Sequence, residues 1–225
     1  ELRSPLARLN VALALARQRS GEEIAGPLDR IEVEAEQLNA LIGRVLSLSS
    51  FESGASEPEF ASVNLNRLID DVTADADFEA KAKDAGVKVK ASEPCSVRGN
   101  ELLLRSAIEN VVRNAVLYTD SGTDVEIGLT FADMVVDDSP GDGTTSRCAV
   151  ISVRDHGPGV SDDQLAHLFE PFYRIADSRD RESGGTGLGL AITERAVRLH
   201  GGTVDARNAT DGGLIVEIRL PIDGV

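Results

Sequence analysis

Positive charge is scarce in this chain. Against 38 Asp and Glu stand only 23 Lys and Arg, a net charge of −15 at pH 7 over 225 residues. Phosphate backbones and anionic bilayers are held by clustered Lys and Arg. A general nucleic-acid or membrane surface is therefore excluded, and any phosphate chemistry must rest on local donors and a metal ion. Cysteine is almost missing. Cys95 and Cys148 have neither metal-ligand nor redox spacing, so they suit small buried side chains in a reducing compartment. No apolar run approaches the ~20 residues of a membrane span, and no signal peptide is recognisable. Internal repeats and low-complexity tracts are also absent. The chain opens at Glu1, inside a helix-like pattern and without Met. An upstream portion, including any membrane anchor, is expected.

What is present divides in two. Leu2, Leu6, Leu9 and Leu13 follow the a/d rhythm of a helical seam. Arg17 to Gly26 is polar, with Gly21 and Gly26, and suits a hairpin connection. Pro27 fits a first helical position. Leu28, Ile31, Ala35, Leu38, Ile42 and Val45 repeat the rhythm. Two such helices bury a seam poorly alone. Either two hairpins pair as a homodimeric four-helix bundle, or the hairpin packs on the rest of its own chain. The expected organisation is a hairpin over 1–55, a Ser-, Glu- and Pro-bearing linker over 56–63 and an α/β domain over 64–225, an α+β chain overall.

In the second part, Asn64 or Asn66 is a candidate cap for a helix running to about Ala85 and ended by Gly86. Val87–Ala91 alternates like a strand, Ser96–Arg98 is a second short one, and Glu101–Tyr118 is helical. Asp124–Phe131 alternates again. The acidic, Gly-bearing stretch 133–146 reads as a hairpin loop. Cys148–Arg154 is a strand that delivers Asp155 at its end. A helix to about His200 and strands at Gly202–Arg207 and Leu214–Leu220 complete the pattern.

Three linked pieces between Asp155 and Leu190 carry the chemistry: DHGPGV, FEPFYR and GGTGLGLA. Glycine lets backbone approach a ligand closely, and a helix start behind glycines offers free N–H groups to phosphate. A nucleotide pocket with a mobile cover fits; so do glycines that only make turns. Asp155, at a strand end, can read an adenine amino group or form an Asx-turn. Asn110, Asn114 and Tyr118 share one helical face. The two amides can hold Mg²⁺ or phosphate, or they are surface or capping residues. Phe169, Phe172 and Tyr173 read as packing aromatics that anchor a loop, from which Arg174 can reach a terminal phosphate.

The ordered segments NVVRNAVLY, DHGPGV, FEPFYR and GGTGLGLAI resemble the N, G1, F and G2 boxes of bacterial sensor histidine kinases, and ELRSPLARL resembles their H box just after its phosphoacceptor histidine. FEPFYR with RDRESGGTGLGLAI is similar to the Cpx-type envelope-stress sensor kinases. The resemblance implies a dimerisation and histidine-phosphotransfer hairpin followed by an ATP-binding α/β sandwich of the gyrase, Hsp90, histidine kinase and MutL type, using ATP and Mg²⁺. It implies that Asn114 and Asn110 hold Mg²⁺ and phosphates and that Asp155 binds the adenine amino group. Gly157 and Gly159 would shape that pocket, with Tyr118 near the base. Arg174 would reach the γ-phosphate, and Gly185, Thr186, Gly187, Leu188 and Gly189 would line the phosphates. Glu1 would act as general base on a histidine just upstream, and Ser4 would position water for dephosphorylating a response-regulator receiver domain. Leu117 departs from the family, which often has Lys or Arg there. None of His156, His167 and His200 matches the phosphoacceptor. The implied location is the cytoplasmic portion of a bacterial inner-membrane protein.

Overall fold

The computed structural model describes residues 60–135, 145–175 and 187–222. The chain divides into two units, Glu1–Glu57 and Pro58–Val225, and every described residue belongs to the second. The expected hairpin, with Glu1 and Ser4, lies outside the described residues.

Strand β1 (Ala61–Asn64) pairs antiparallel with β3 (Ser96–Gly99). Residues 61–63 were expected in the linker. They pair instead, because Val63 is buried opposite Val97. Helix α1 (Leu65–Lys81) is capped by Asn64, whose side chain accepts from the Arg67 N–H at 3.0 Å. Asn66, the other candidate, instead accepts from the Cys95 N–H and donates to Ser92 Oγ. The helix stops at Lys81, short of the expected end at Gly86. Asp84, with φ of 56°, takes the left-handed turn, and Ala85 N–H bonds back to the Ala80 carbonyl. Asp tolerates that conformation better than most residues, so no glycine is needed to end the helix.

Helix α2 (Glu101–Tyr118) has the expected bounds. Asn100 caps it by accepting from the Leu103 N–H. Leu104, Ala107, Ile108, Val111, Val112 and Ala115 form its buried stripe, at the helical repeat that points one face inward.

The main sheet runs in the order β2 (Gly86–Ser92), β4 (Asp124–Val135), β5 (Thr145–Arg154), β7 (Leu214–Pro221), β6 (Thr203–Asn208). β2 lies parallel to β4, and the remaining neighbours are antiparallel. The β4–β5 ladder continues to Val135 opposite Thr145, so the strands extend into both ends of the stretch expected as loop. Cross-strand rows explain the core. Ile127 faces Val153, which faces Val216, and Leu129 faces Ile151, which faces Ile218. All six are buried, and each contributes about 1.5–3 kcal/mol of burial. The neighbouring row alternates to the other face with Glu217 and Asp205, as the two-residue period of a strand requires.

The buried stripes of α1, α2 and α4 (Gly189–Leu199) join the same core as the inward strand residues. The result is the expected helix-on-sheet sandwich. A single turn, α3 (Asp162–Leu165), lies between β5 and α4.

Candidate functional site

β5 carries Asp155 past its last ladder residue. Asp155 is only 6% exposed, and its Oδ1 accepts from the Gly157 N–H at 2.9 Å and the Leu214 N–H at 3.1 Å. Its Oδ2 has no donor among the described residues. Burial pushes the carboxyl pKa up, and the Gly157 and Leu214 N–H groups hold it back. One oxygen is thus tethered to the fold, while its twin is an acceptor without a partner among the described residues.

The turn after Asp155 is held against the end of α2. A Cβ on Gly157 would sit 2.2 Å from the Tyr118 carbonyl oxygen, so only glycine fits. Thr119 Oγ1 accepts from the His156 N–H at 3.1 Å. Tyr118, half-exposed at the helix end, therefore stands beside the Asp155 turn. Gly159 follows, and a Cβ there would come within 2.8 Å of Asn208 Oδ1.

α2 also carries Asn110 and Asn114, both partly exposed. Neither side chain has a hydrogen-bond partner among the described residues. Buried or half-buried amides are usually satisfied, so this pair is available to a ligand. A Cβ on Gly189 would lie 3.4 Å from Asn110 Oδ1, so Asn110 adjoins the first residue of α4. That helix begins at Gly189 with Leu188 as N-cap and no side-chain cap. Among the described residues no side chain caps its first N–H groups, the kind of donors that suit an anion. Leu188 itself is fully buried; its side chain belongs to the core, and what it offers a ligand is backbone. Thr193, also fully buried, donates to the Ala107 carbonyl at 3.0 Å and ties α4 to α2.

Gly187 meets the aromatic segment. Its carbonyl accepts from the Phe172 N–H at 2.9 Å. With φ of 69°, and with the Phe172 carbonyl carbon 2.8 Å from where a Cβ would be, the position requires glycine. Phe172 has a φ of 67° itself and is 66% exposed. The expectation that it is a packing aromatic is corrected: the backbone turn needed to reach Gly187 rotates its ring outward. Phe169 does pack on the core, and Tyr173 stacks near His167 at 5.5 Å. Arg174, two residues beyond this junction, is exposed and has no ion-pair partner among the described residues. Gly185 and Thr186 lie outside them.

The donor set fits a hard cation only in part. No group of three or more His, Cys, Asp or Glu able to hold a metal occurs among the described residues. Asn110 and Asn114 supply neutral oxygens, so an ion such as Mg²⁺ would need phosphate oxygens and water as its other ligands. That matches a metal arriving with a nucleotide. Glu109, beside Asn110, is engaged by Arg105 Nε at 2.7 Å.

The three histidines have structural partners. His156 lies 3.7 Å from Glu126 and His167 bonds Glu170 at 2.7 Å. His200 is buried, with Nδ1 against the Ala196 carbonyl and Nε2 accepting from the Asn100 N–H. Sequence reading passed over Thr119, Thr193 and Asn208. The Gly212–Gly213 doublet near Asn208 was the one local signal; the other two positions look like ordinary polar residues until the fold brings their partners.

Residues 99–224 match the family described as histidine kinase-, DNA gyrase B- and HSP90-like ATPase. The chain is 42% identical over 224 residues to the sensor histidine kinase CpxA of Escherichia coli K12, covering 99% of this chain and 45% of CpxA. It is 34% identical to the sensor histidine kinase RppB of Synechocystis, over 48% of that protein. The expected likeness to Cpx-type sensor kinases is therefore present, and the chain spans about half the length of these relatives. Among solved structures, full-length ShkA in complex with AMPPNP superposes with a TM-score of 0.78 at 25% identity, over 100% of this chain and 44% of ShkA. The mycobacterial sensor histidine kinase MprB superposes at 0.57 with 26% identity, over 72% of this chain and 97% of MprB. A tethered carboxylate with one open oxygen, two unpartnered amides and an uncapped glycine helix start, joined to this match, make the chain a member of the histidine kinase-, DNA gyrase B- and HSP90-like ATPase family.

Proposed function

We propose that this chain is the ATP-binding and phosphotransfer core of a sensor histidine kinase. The observation that carries the reading is the open Oδ2 of Asp155 in a buried turn, on the same domain as Asn110, Asn114 and the uncapped start of α4. Asp155 accepts the amino group of adenine, with Gly157 and Gly159 letting backbone close around the base and Tyr118 beside it. Asn110 and Asn114 hold the phosphates and a Mg²⁺ ion, and the backbone of Gly185, Thr186, Gly187, Leu188 and Gly189 lines the phosphate chain. Bound Mg²⁺ supplies neutralisation of phosphate charge, which a chain of net charge −15 does not supply in bulk. Arg174 reaches the γ-phosphate from its place two residues beyond Phe172, whose N–H bonds the Gly187 carbonyl. Catalysis is positioning and charge stabilisation.

The acceptor is a histidine preceding Glu1, on a hairpin (1–55) that dimerises as a four-helix bundle, joined through residues 56–63 to the catalytic domain. Glu1 holds the far imidazole N–H so that the other nitrogen attacks. The phosphoryl group then passes to an aspartate of a response regulator, and Ser4 orients water for hydrolysis of that aspartyl phosphate, which releases inorganic phosphate. The location is the cytoplasmic side of a bacterial inner membrane, reached through an upstream segment.

The competing class, an ATPase that hydrolyses with a helix carboxylate such as Glu109, is disfavoured by the H-box-like segment ELRSPLARL at the start of the chain. The test is radiolabelled γ-phosphate transfer from ATP to the chain extended upstream through the histidine position. Acid-labile, base-stable label on the protein, lost in Asp155→Ala and reduced at least about tenfold in Arg174→Ala, is expected. Hydrolysis without protein label overturns the kinase in favour of the ATPase. ADP binding with neither product leaves a nucleotide-binding scaffold.

A further inference from the structure

The far side of the Asp155 turn is gripped by a residue outside the four nucleotide boxes. Asn208, the last residue of β6, accepts from the Val160 N–H at 2.9 Å through Oδ1 and donates to the Val160 carbonyl at 2.6 Å through Nδ2. One side-chain amide thus satisfies both backbone groups of one residue, as a neighbouring strand would. The contact is close on the glycine side too, since a Cβ on Gly159 would meet Asn208 Oδ1 at 2.8 Å.

The surrounding β6–β7 turn holds the near side of the same loop. Leu214 bonds Asp155 twice, its carbonyl accepting from the Asp155 N–H and its own N–H donating to the Asp155 side-chain Oδ1. Asp211 pairs with Arg154 at 2.6 Å. The segment from Arg154 to Val160 is therefore bound at both ends to the β6–β7 hairpin, and at its middle to Thr119, with Gly157 packed close against the Tyr118 carbonyl. Removing the grip at Val160 frees one end of a loop whose function is to hold a single carboxylate oxygen in place.

We propose that Asn208 is a positioning residue for the base pocket: its two-way bond to Val160 holds the 155–160 turn in the conformation that presents Asp155 to the amino group of adenine. This rests on the nucleotide-binding reading above. An acceptor oxygen suits adenine, whose amino group donates, and opposes guanine, whose carbonyl at that place cannot. The clamp therefore bears on selectivity as well as affinity, although Asn208 touches no part of the nucleotide.

The test measures ADP and GDP dissociation constants by titration calorimetry, with thermal melting of the same 225-residue chain with and without ADP. Asn208→Asp is nearly isosteric; it keeps an acceptor for the Val160 N–H, loses the donor and sets a carboxylate against the Val160 carbonyl. Asn208→Ala removes both bonds. Each is expected to weaken ADP about tenfold, the worth of one or two net hydrogen bonds, and to narrow the preference for ADP over GDP. Asp205→Ala, on the same strand and paired with Arg219 at the surface, is the control and leaves both constants unchanged. A merely structural role lowers the melting temperature without ligand and leaves the ADP-induced rise and the ADP/GDP ratio intact; that result overturns the proposal, as does equal weakening in Asp205→Ala. Should Asn208→Ala fail to fold, Asn208→Asp decides. If the unsubstituted chain binds no ADP, the nucleotide-binding reading itself falls.

Discussion

At the scale of single residues, Asp155 concentrates the chemistry. Two backbone N–H groups share Oδ1, and the other oxygen is open. Its pKa is raised by burial from 3.8, so the charged form is penalised in the folded state. The folded protein holds the proton longer than the unfolded chain. This contribution to stability is fully present below 3.8 and is lost as pH rises through the raised value. Asp155→Asn should therefore keep or slightly raise the melting temperature at neutral pH, because an amide oxygen accepts the same two N–H groups without a buried charge. Its Nδ2 would then face the adenine amino group, donor against donor, and ADP affinity should fall about 10- to 100-fold. Calorimetric titration beside a thermal melt separates the two effects. Loss of both together would mean that the residue only holds the fold.

At the scale of elements, two junctions set the site. The first is between α4 and the aromatic segment. Gly187→Ala forces a Cβ into the Phe172 and Tyr173 backbone, within 2.8 Å, at a φ that costs a side chain about 1–2 kcal/mol. On the proposed kinase reading, the expected outcome is a modest drop in melting temperature with a larger fall in phosphotransfer rate, read from initial rates at saturating ATP in the chain extended upstream through the histidine position. The second junction is His200, where the end of α4 meets the start of α2. Its Nε2 must be unprotonated to accept from the Asn100 N–H, and its Nδ1–H faces the Ala196 carbonyl. Burial lowers its pKa from 6.5, opposed by the Ala196 bond. The unfolded chain then binds more protons below that value, so stability is fully present above 6.5 and is lost as pH falls through the lowered folded pKa. Denaturant midpoints measured across that window should decline with acidity, and His200→Gln should flatten the decline.

At the scale of the whole molecule, the prediction concerns linkage. A ligand that binds only the folded domain stabilises it by about 2.7 kcal/mol at a hundredfold excess over its dissociation constant. ADP should therefore raise the denaturant midpoint, and duplex DNA should leave it unchanged, because net charge −15 provides no phosphate-binding field. A DNA-induced rise would contradict the charge argument. None of the described helices is long and apolar enough to cross a membrane.

The sequence by itself determined the features that local chemistry dictates. Helix α2 could be read to its end residues, because Asn100 caps it and its apolar stripe keeps helical phase. Asp155 could be placed at a strand end and the glycines after it, because strand alternation and turn chemistry act over a few residues. The order of those segments marked the second part as mixed α/β; the ATP-binding sandwich was implied by the family resemblance, and the hairpin expected over 1–55 lies outside the described residues. What only the tertiary structure decided depends on partners far apart in the chain. Asn208 reaches Val160, Thr193 reaches Ala107, and the Asn100 N–H reaches His200. No periodicity marks such residues, since a single polar side chain looks the same whether it meets water or a distant backbone. Where α1 ends was also a tertiary decision: Asp84 took the left-handed turn, and Gly86 was kept for β2, where a Cβ would collide with Asp124 Oδ1 at 2.5 Å. Local propensity names the elements. Packing selects which oxygen of Asp155 is tied down.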